Sequence, residues 1–88
     1  MSEIEAKTRL KQLVPPEVLA DEAKLKILKL LSIKETCEYE IMSKLAQKDV
    51  PQHLKVLEKE GIVKKRPEGL RMMYSLSNPE IGKFLANF

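Results

Sequence analysis

Tryptophan is absent from this chain, tyrosine and phenylalanine occur twice each, and there is one cysteine and one histidine. A single thiol cannot close an intramolecular disulfide and is too few for a structural zinc site. Cys37 therefore reads either as a small apolar residue, buried or half-buried, or as a redox- or electrophile-sensing thiol. The lone His53 has no ligand set at metal-binding spacing, so no metal and no cofactor are expected. There is no Gly-rich phosphate loop and no nucleophile paired with a base, which leaves an enzyme without support. No stretch has the ~18 uninterrupted apolar residues of a membrane span. The opening MSEIEAKTRLKQL is charged where a signal peptide is apolar, so a cytoplasmic protein is expected. Glycine and proline are few, repeats and low-complexity tracts are missing, and the 88 residues make one domain, 1–88, with a thin core. A chain this short often gains stability by pairing with a copy of itself.

What the chain does have is charge in one place. Its net charge is +3. Between Gln47 and Arg71 stand seven basic residues (Lys48, Lys55, Lys59, Lys64, Lys65, Arg66, Arg71) and four acidic ones (Asp49, Glu58, Glu60, Glu68). The remainder has nine of each, so the whole excess lies in that span. A polyanion partner is the natural reading, although charge alone leaves a solvated lysine-rich face open.

Apolar periodicity divides the chain into elements. Ala6, Leu10, Leu13 and Val14 fall on one helix face, and Pro15-Pro16 ends that helix. Pro16 can open a short turn through Ala20. Asp21 is an N-cap for a helix over Glu22 to Ser32. That helix would bury Leu25, Leu28 and Leu31, with Ile27 and Leu30 beside them, and leave Lys24, Lys26 and Lys29 for solvent. Ile33 to Cys37 reads as a connector with a scrap of strand. A helix from about Glu38 to Ala46 would turn Tyr39, Met42 and Leu45 inward, with Ile41 beside them. Gln47 to Asp49 is a tight turn, and the next helix, over 48–60, stops at Gly61. The period then changes to that of a hairpin, Ile62 to Arg66 and Leu70 to Leu76, joined by Pro67-Glu68-Gly69. Asn78-Pro79 starts a last helix with Ile81, Phe84, Leu85 and Phe88 on one face. The expected fold is mainly α with a β-hairpin wing over 62–76: a winged helix-turn-helix of five helices.

The helix over 48–60 buries Val50, Leu54 and Leu57. Lys48, Gln52, Lys55 and Lys59 fall on its other side, with no acid among them. Lysines suit phosphates, and a glutamine can address adenine in a major groove. Lys64, Lys65, Arg66 and Arg71 of the hairpin can clamp the neighbouring backbone. Pro51 fits only near the helix start, where its missing N–H has no partner to lose. Asp49 either caps that first turn or accepts from a cytosine amine. His53 reads as a hydrogen-bonding side chain near this surface, to protein or to phosphate.

These segments together resemble the ArsR/SmtB family of repressors. LADEAKLKILKLL (residues 19–31) is similar to the family's "L-A-D-x-x-R-x-x-I-L-x-x-L", with Lys24 at the arginine. VPQHLKVLEKEGIV (residues 50–63) is similar to its recognition helix, and Tyr74-Ser75-Leu76 to its wing end. The resemblance implies a homodimer, built from the first and last helices, on an imperfect palindrome of double-stranded DNA. It places Gln47, Lys48, Asp49, Gln52 and His53 at or near DNA. Pro51 departs from the serine usual there. The metal-sensing Cys-x-Cys is reduced to Cys37 with Tyr39, and the last helix has no His or Asp. Neither metal site of the family can be assembled.

The leading expectation is a DNA-binding transcription regulator, a homodimeric repressor. The alternative is a winged-helix module that docks on protein within a transcription or remodelling assembly. The terminal helices, 2–14 and 79–88, are expected to dimerise through Ala6, Leu10, Leu13, Val14, Ile81, Phe84, Leu85 and Phe88, because so short a chain would not bury both stripes within itself.

Overall fold

The computed structural model describes residues 3–86; of Glu3 and Ala6 it gives the backbone path alone. Phe88 and the side chain of Ala6, both named above as dimer contacts, lie outside the described residues. The elements are α1 (Glu3–Leu13), α2 (Pro16–Leu19), α3 (Glu22–Ile33), β1 (Thr36–Cys37), α4 (Glu38–Leu45), α5 (Val50–Lys59), β2 (Val63–Glu68), β3 (Arg71–Leu76) and α6 (Pro79–Leu85). The short turn after Pro16 is thus a sixth helix. The three strands form one antiparallel sheet in the order β1-β3-β2. Tyr74 of β3 faces Thr36 on one side and Lys65 on the other.

Local chemistry sets the boundaries. The Asp21 carboxylate accepts from the amides of Ala23 and Lys24 at 3.0 and 3.2 Å, which caps α3. Asn78 Oδ1 accepts from the Glu80 amide at 2.9 Å and caps α6, with Pro79 in its first turn. At the far end of α5 the Gly61 amide donates to Glu58 and the Ile62 amide to Leu57, both at 2.9 Å. With Gly61 at φ +75° this is a Schellman stop, flanked by Leu57 and Ile62, both buried in the core. The hairpin closes on the two residues Gly69 and Leu70, since Glu68 pairs with Arg71. Gly69 alone there has a positive φ, +62°, the signature of a II′ turn.

One core joins every helix. Ile27, Leu28 and Leu31 of α3 meet Ile41 of α4, Val50, Leu54 and Leu57 of α5, and Ile81, Phe84 and Leu85 of α6. Each such side chain contributes about 1.5–3 kcal/mol when fully buried. Leu25 and Leu30 are only half-buried, with Ile27 in the central place.

Three expectations need correction. The terminal stripes are buried within the single chain: Leu10, Val14, Ile81, Phe84 and Leu85 are all at most 6% exposed. The reason is that α6 lies against both α1 and α3, so each terminal helix covers the other's apolar face. Tyr39 is 82% exposed. An eight-residue helix has one inward direction, and Ile41, flanked by Met42 and Leu45, takes it. The helix expected over 48–60 begins at Val50, so Lys48 and Asp49 lie in the preceding turn.

Candidate nucleic-acid interface

The pair α4 and α5 is joined by Ala46 to Asp49. Ala46 closes α4 in the left-handed region at φ 52°, a place usually held by glycine. The chain reverses there, and Pro51 enters the first turn of α5 without losing a hydrogen bond. Val50, Leu54 and Leu57 point into the core. This leaves Gln52, Lys55, Val56 and Lys59 exposed on the helix, with Lys48 exposed just before it. Gln47 is half-buried, and its Oε1 is buried without a hydrogen-bond partner among the described residues.

The cations divide by partnership. Lys48, Lys55, Lys59, Lys64 and Arg71 are exposed and form no ion pair among the described residues. Lys65 lies 3.4 Å from Glu58. Arg66 is held more firmly: Nε donates to Glu35 at 2.8 Å, a second guanidinium nitrogen reaches the same carboxylate, and Glu68 approaches at 3.2 Å. Such a fork is geometrically specific. The guanidinium holds the Glu35 carboxyl below its ordinary range, and Arg66 in turn is raised. The wing therefore offers Lys64 and Arg71 outright, while Lys65 and Arg66 must exchange a carboxylate for any new partner.

His53, read as a hydrogen-bonding side chain near this surface, is half-buried with its side chain 14% exposed. Its Nε2 is 2.9 Å from Asp49 Oδ2, and its Nδ1 is 3.0 Å from Lys24 Nζ. Asp49 stands at the N-cap of α5, yet its carboxylate caps no amide. Lys24, expected in solvent, is 13% exposed at its side chain and sits 2.7 Å from Asp21 Oδ2. That hydrogen bond lowers the Asp21 carboxyl below its usual value, against the opposing effect of burial.

Two features escaped periodicity. Val56 is 43% exposed between the polar residues of α5, an apolar side chain suited to a thymine methyl. Its only sequence signal was an apolar residue outside the Val50, Leu54, Leu57 stripe. Lys24 was hidden because its partner His53 is 29 residues away. Cys37 is buried at the start of α4, opposite Met73 of β3. Among the described residues, no group of three or more His, Cys, Asp and Glu is placed to hold a metal.

A family model for the bacterial regulatory protein arsR family matches residues 21–65, just over half of the chain. The chain belongs to the arsR family. Rv0081 of Mycobacterium tuberculosis (strain ATCC 25618 / H37Rv), named as an uncharacterized HTH-type transcriptional regulator, is 34% identical over 73 residues, 80% of this chain. The chain spans 64% of that relative's length. The crystal structure of Rv0081 superposes with a TM-score of 0.70, covering 94% of this chain and 81% of that one. Reduced HlyU from Vibrio cholerae N16961 gives a TM-score of 0.76 at 27% identity, over 98% of this chain and 92% of that one. A homodimeric winged helix-turn-helix DNA-binding domain from Mycobacterium bovis, at 24% identity and TM-score 0.71 over 94% of this chain and 74% of that one, shares the fold. The arsR-family match runs from Asp21, the cap of α3, to Lys65 in the wing, so it contains α4, the turn and α5 entire.

Proposed function

We propose that this protein is a sequence-specific, double-stranded-DNA-binding transcription regulator, a cytoplasmic homodimeric repressor acting on an imperfect palindrome. The observation that carries the reading is the outer face of α5. Gln52, Lys55 and Lys59 are exposed there with no acid among them, on the second helix of a helix-turn-helix. That helix enters the major groove in this architecture. Gln52 would address a base, Val56 a thymine methyl, and Lys48, Lys55 and Lys59 the phosphates. Lys64 and Arg71 would hold the flanking backbone from the wing. Gln47 and His53, by contrast, are half-buried and would support the interface from behind, with exposed Asp49 at its edge bonded to the His53 ring. A protein-docking face would be more apolar or aromatic than the outer face of α5, where Val56 is the one large exposed apolar side chain among the described residues.

A single winged helix reaches few bases, and a dimer spans two half-sites about one helical turn apart. With the apolar stripes of α1 and α6 already buried, a dimer through the terminal helices would use their outer surfaces, where Ile4 is exposed and Leu13 half-buried. No helix among the described residues is long and apolar enough to cross a membrane.

Selection of duplexes from a random pool by the purified chain tests the reading, and a two-fold consensus is the expected result. Affinity should fall with salt at a log–log slope of about −0.9 per phosphate neutralised. Lys55→Ala with Lys59→Ala should weaken all sequences alike. Gln52→Ala should relax one base position by roughly 1–3 kcal/mol. Affinity that is flat between low and high salt overturns the proposal.

A further inference from the structure

We propose that Lys24 is a positioning residue for the DNA-reading helix: it fixes the tautomer of His53, and through the ring it holds the Asp49 carboxylate away from the start of α5. This rests on the DNA-binding reading. The geometry requires little else. An ammonium has donors and no lone pair. Lys24 Nζ lies 3.0 Å from His53 Nδ1, so Nδ1 is the acceptor. The ring proton is then on Nε2, which donates to Asp49 Oδ2 at 2.9 Å. A proton on Nδ1 would face the Lys24 ammonium instead.

The chain of contacts runs Asp21, Lys24, His53, Asp49. Its first two members are the N-cap of α3 and a residue of that helix's first turn, and its last two belong to the first turn of α5 and the residue before it. Lys24 and His53 are 13% and 14% exposed at their side chains, so their contacts are largely shielded from water. The apolar stripe of α5 sets its depth in the core, but an apolar stripe tolerates small rotations. A directional polar link at the helix start fixes the rotation of α5 about its own axis. That rotation decides where Gln52, Lys55, Val56 and Lys59 point. Lys24 would therefore act on DNA affinity without touching DNA, its charge being already engaged by Asp21 at 2.7 Å.

The test combines nitrogen NMR of the His53 imidazole with DNA affinity, on the full chain. The wild type should show a single Nε2–H tautomer. Lys24→Met should give a mixture of tautomers, and its affinity for the selected duplex should drop about tenfold. Its log–log salt slope should stay at the wild-type value, because no phosphate contact is lost. Lys24→Arg should restore both the tautomer and the affinity. If Lys24→Met fails to fold, Asp49→Ala, at an exposed carboxylate that caps nothing, serves instead: it should keep the single Nε2–H tautomer, because Lys24 still donates to Nδ1, and a mixture of tautomers there would assign the tautomer to Asp49 and overturn the proposal. A Lys24→Met protein that keeps the tautomer and the affinity overturns the proposal. So does a salt slope shallower by about 0.9, which would make Lys24 a phosphate contact. A wild type that binds no duplex overturns the DNA reading and with it this role. A wild type that binds, matched by Lys24→Met, overturns the role of Lys24 alone.

Discussion

Asp21 does two jobs with one carboxylate: Oδ1 caps α3 and Oδ2 receives the Lys24 ammonium. Because the folded state depresses its carboxyl below the ordinary 3.8, its contribution to stability is complete above that value. The contribution is lost as the pH falls through the depressed folded value, where the native carboxylate finally takes up its proton. Glu35, held by Arg66, acts in the same direction. Asp21→Asn keeps a capping oxygen but not the charge. Urea unfolding followed from neutral pH to below about pH 3 should therefore show a shallower loss of stability for Asp21→Asn than for the wild type. Equal slopes would mean that the Lys24 contact does not bias the carboxyl. Residues of this kind are the least legible in sequence. Periodicity assigned Lys24 to solvent from its own helix alone, and its burial is decided by a ring on another helix. Tyr39 was read as buried because it fits a three-residue stripe with Met42 and Leu45, whereas the observed stripe is centred on Ile41, with Met42 and Leu45 packed beside it. Gln52, Lys55 and Lys59 were legible, since exposure follows directly from an opposing stripe of Val50, Leu54 and Leu57.

Caps and stops made the elements readable. Asp21, Asn78-Pro79, Pro15-Pro16 and Gly61 each carry a backbone reason for a boundary, and each boundary stands where that reason puts it. The start of α5 was placed too early because Pro51 fits any place in the first turn. The turn before it had no glycine to mark it, since Ala46 takes the left-handed conformation itself. The two sites make opposite expectations. A left-handed conformation costs an L-residue roughly 1–2 kcal/mol. Gly61→Ala should therefore destabilise the fold by about 1 kcal/mol, and Ala46→Gly should stabilise it by up to about 1 kcal/mol. In a domain of this size each kcal/mol moves the melting temperature by roughly 4–8 °C. Calorimetry on the pair would show shifts of opposite sign. Shifts of the same sign would mean that the turn and the stop are not governed by φ.

For the whole molecule, the sequence supplied the winged helix-turn-helix but misjudged what one short chain can enclose. Two apolar stripes at its ends were assigned to a partner, because periodicity identifies an apolar face without saying which surface covers it. Here α1 and α6 cover one another. Phe84, 6% exposed, is part of the monomer core. Phe84→Ala should cost about 3–5 kcal/mol, a large share of the 5–15 kcal/mol that holds a domain folded. Circular dichroism at rising temperature should show a lower midpoint at every protein concentration; a folded, stable monomer would instead return that face to an interface. On the DNA-binding reading proposed above, one feature of the molecule bears on which duplex it would accept. Between the end of α5 at Lys59 and the first residue of β2 at Val63 the chain has only the Schellman stop, with no slack. Helix and wing thus make a calliper of fixed opening. A calliper measures as well as grips: a duplex whose grooves do not match that opening must be bent or twisted to fit, at a cost that depends on its own stiffness. Bases that no side chain touches would then be selected for the shape they give the helix.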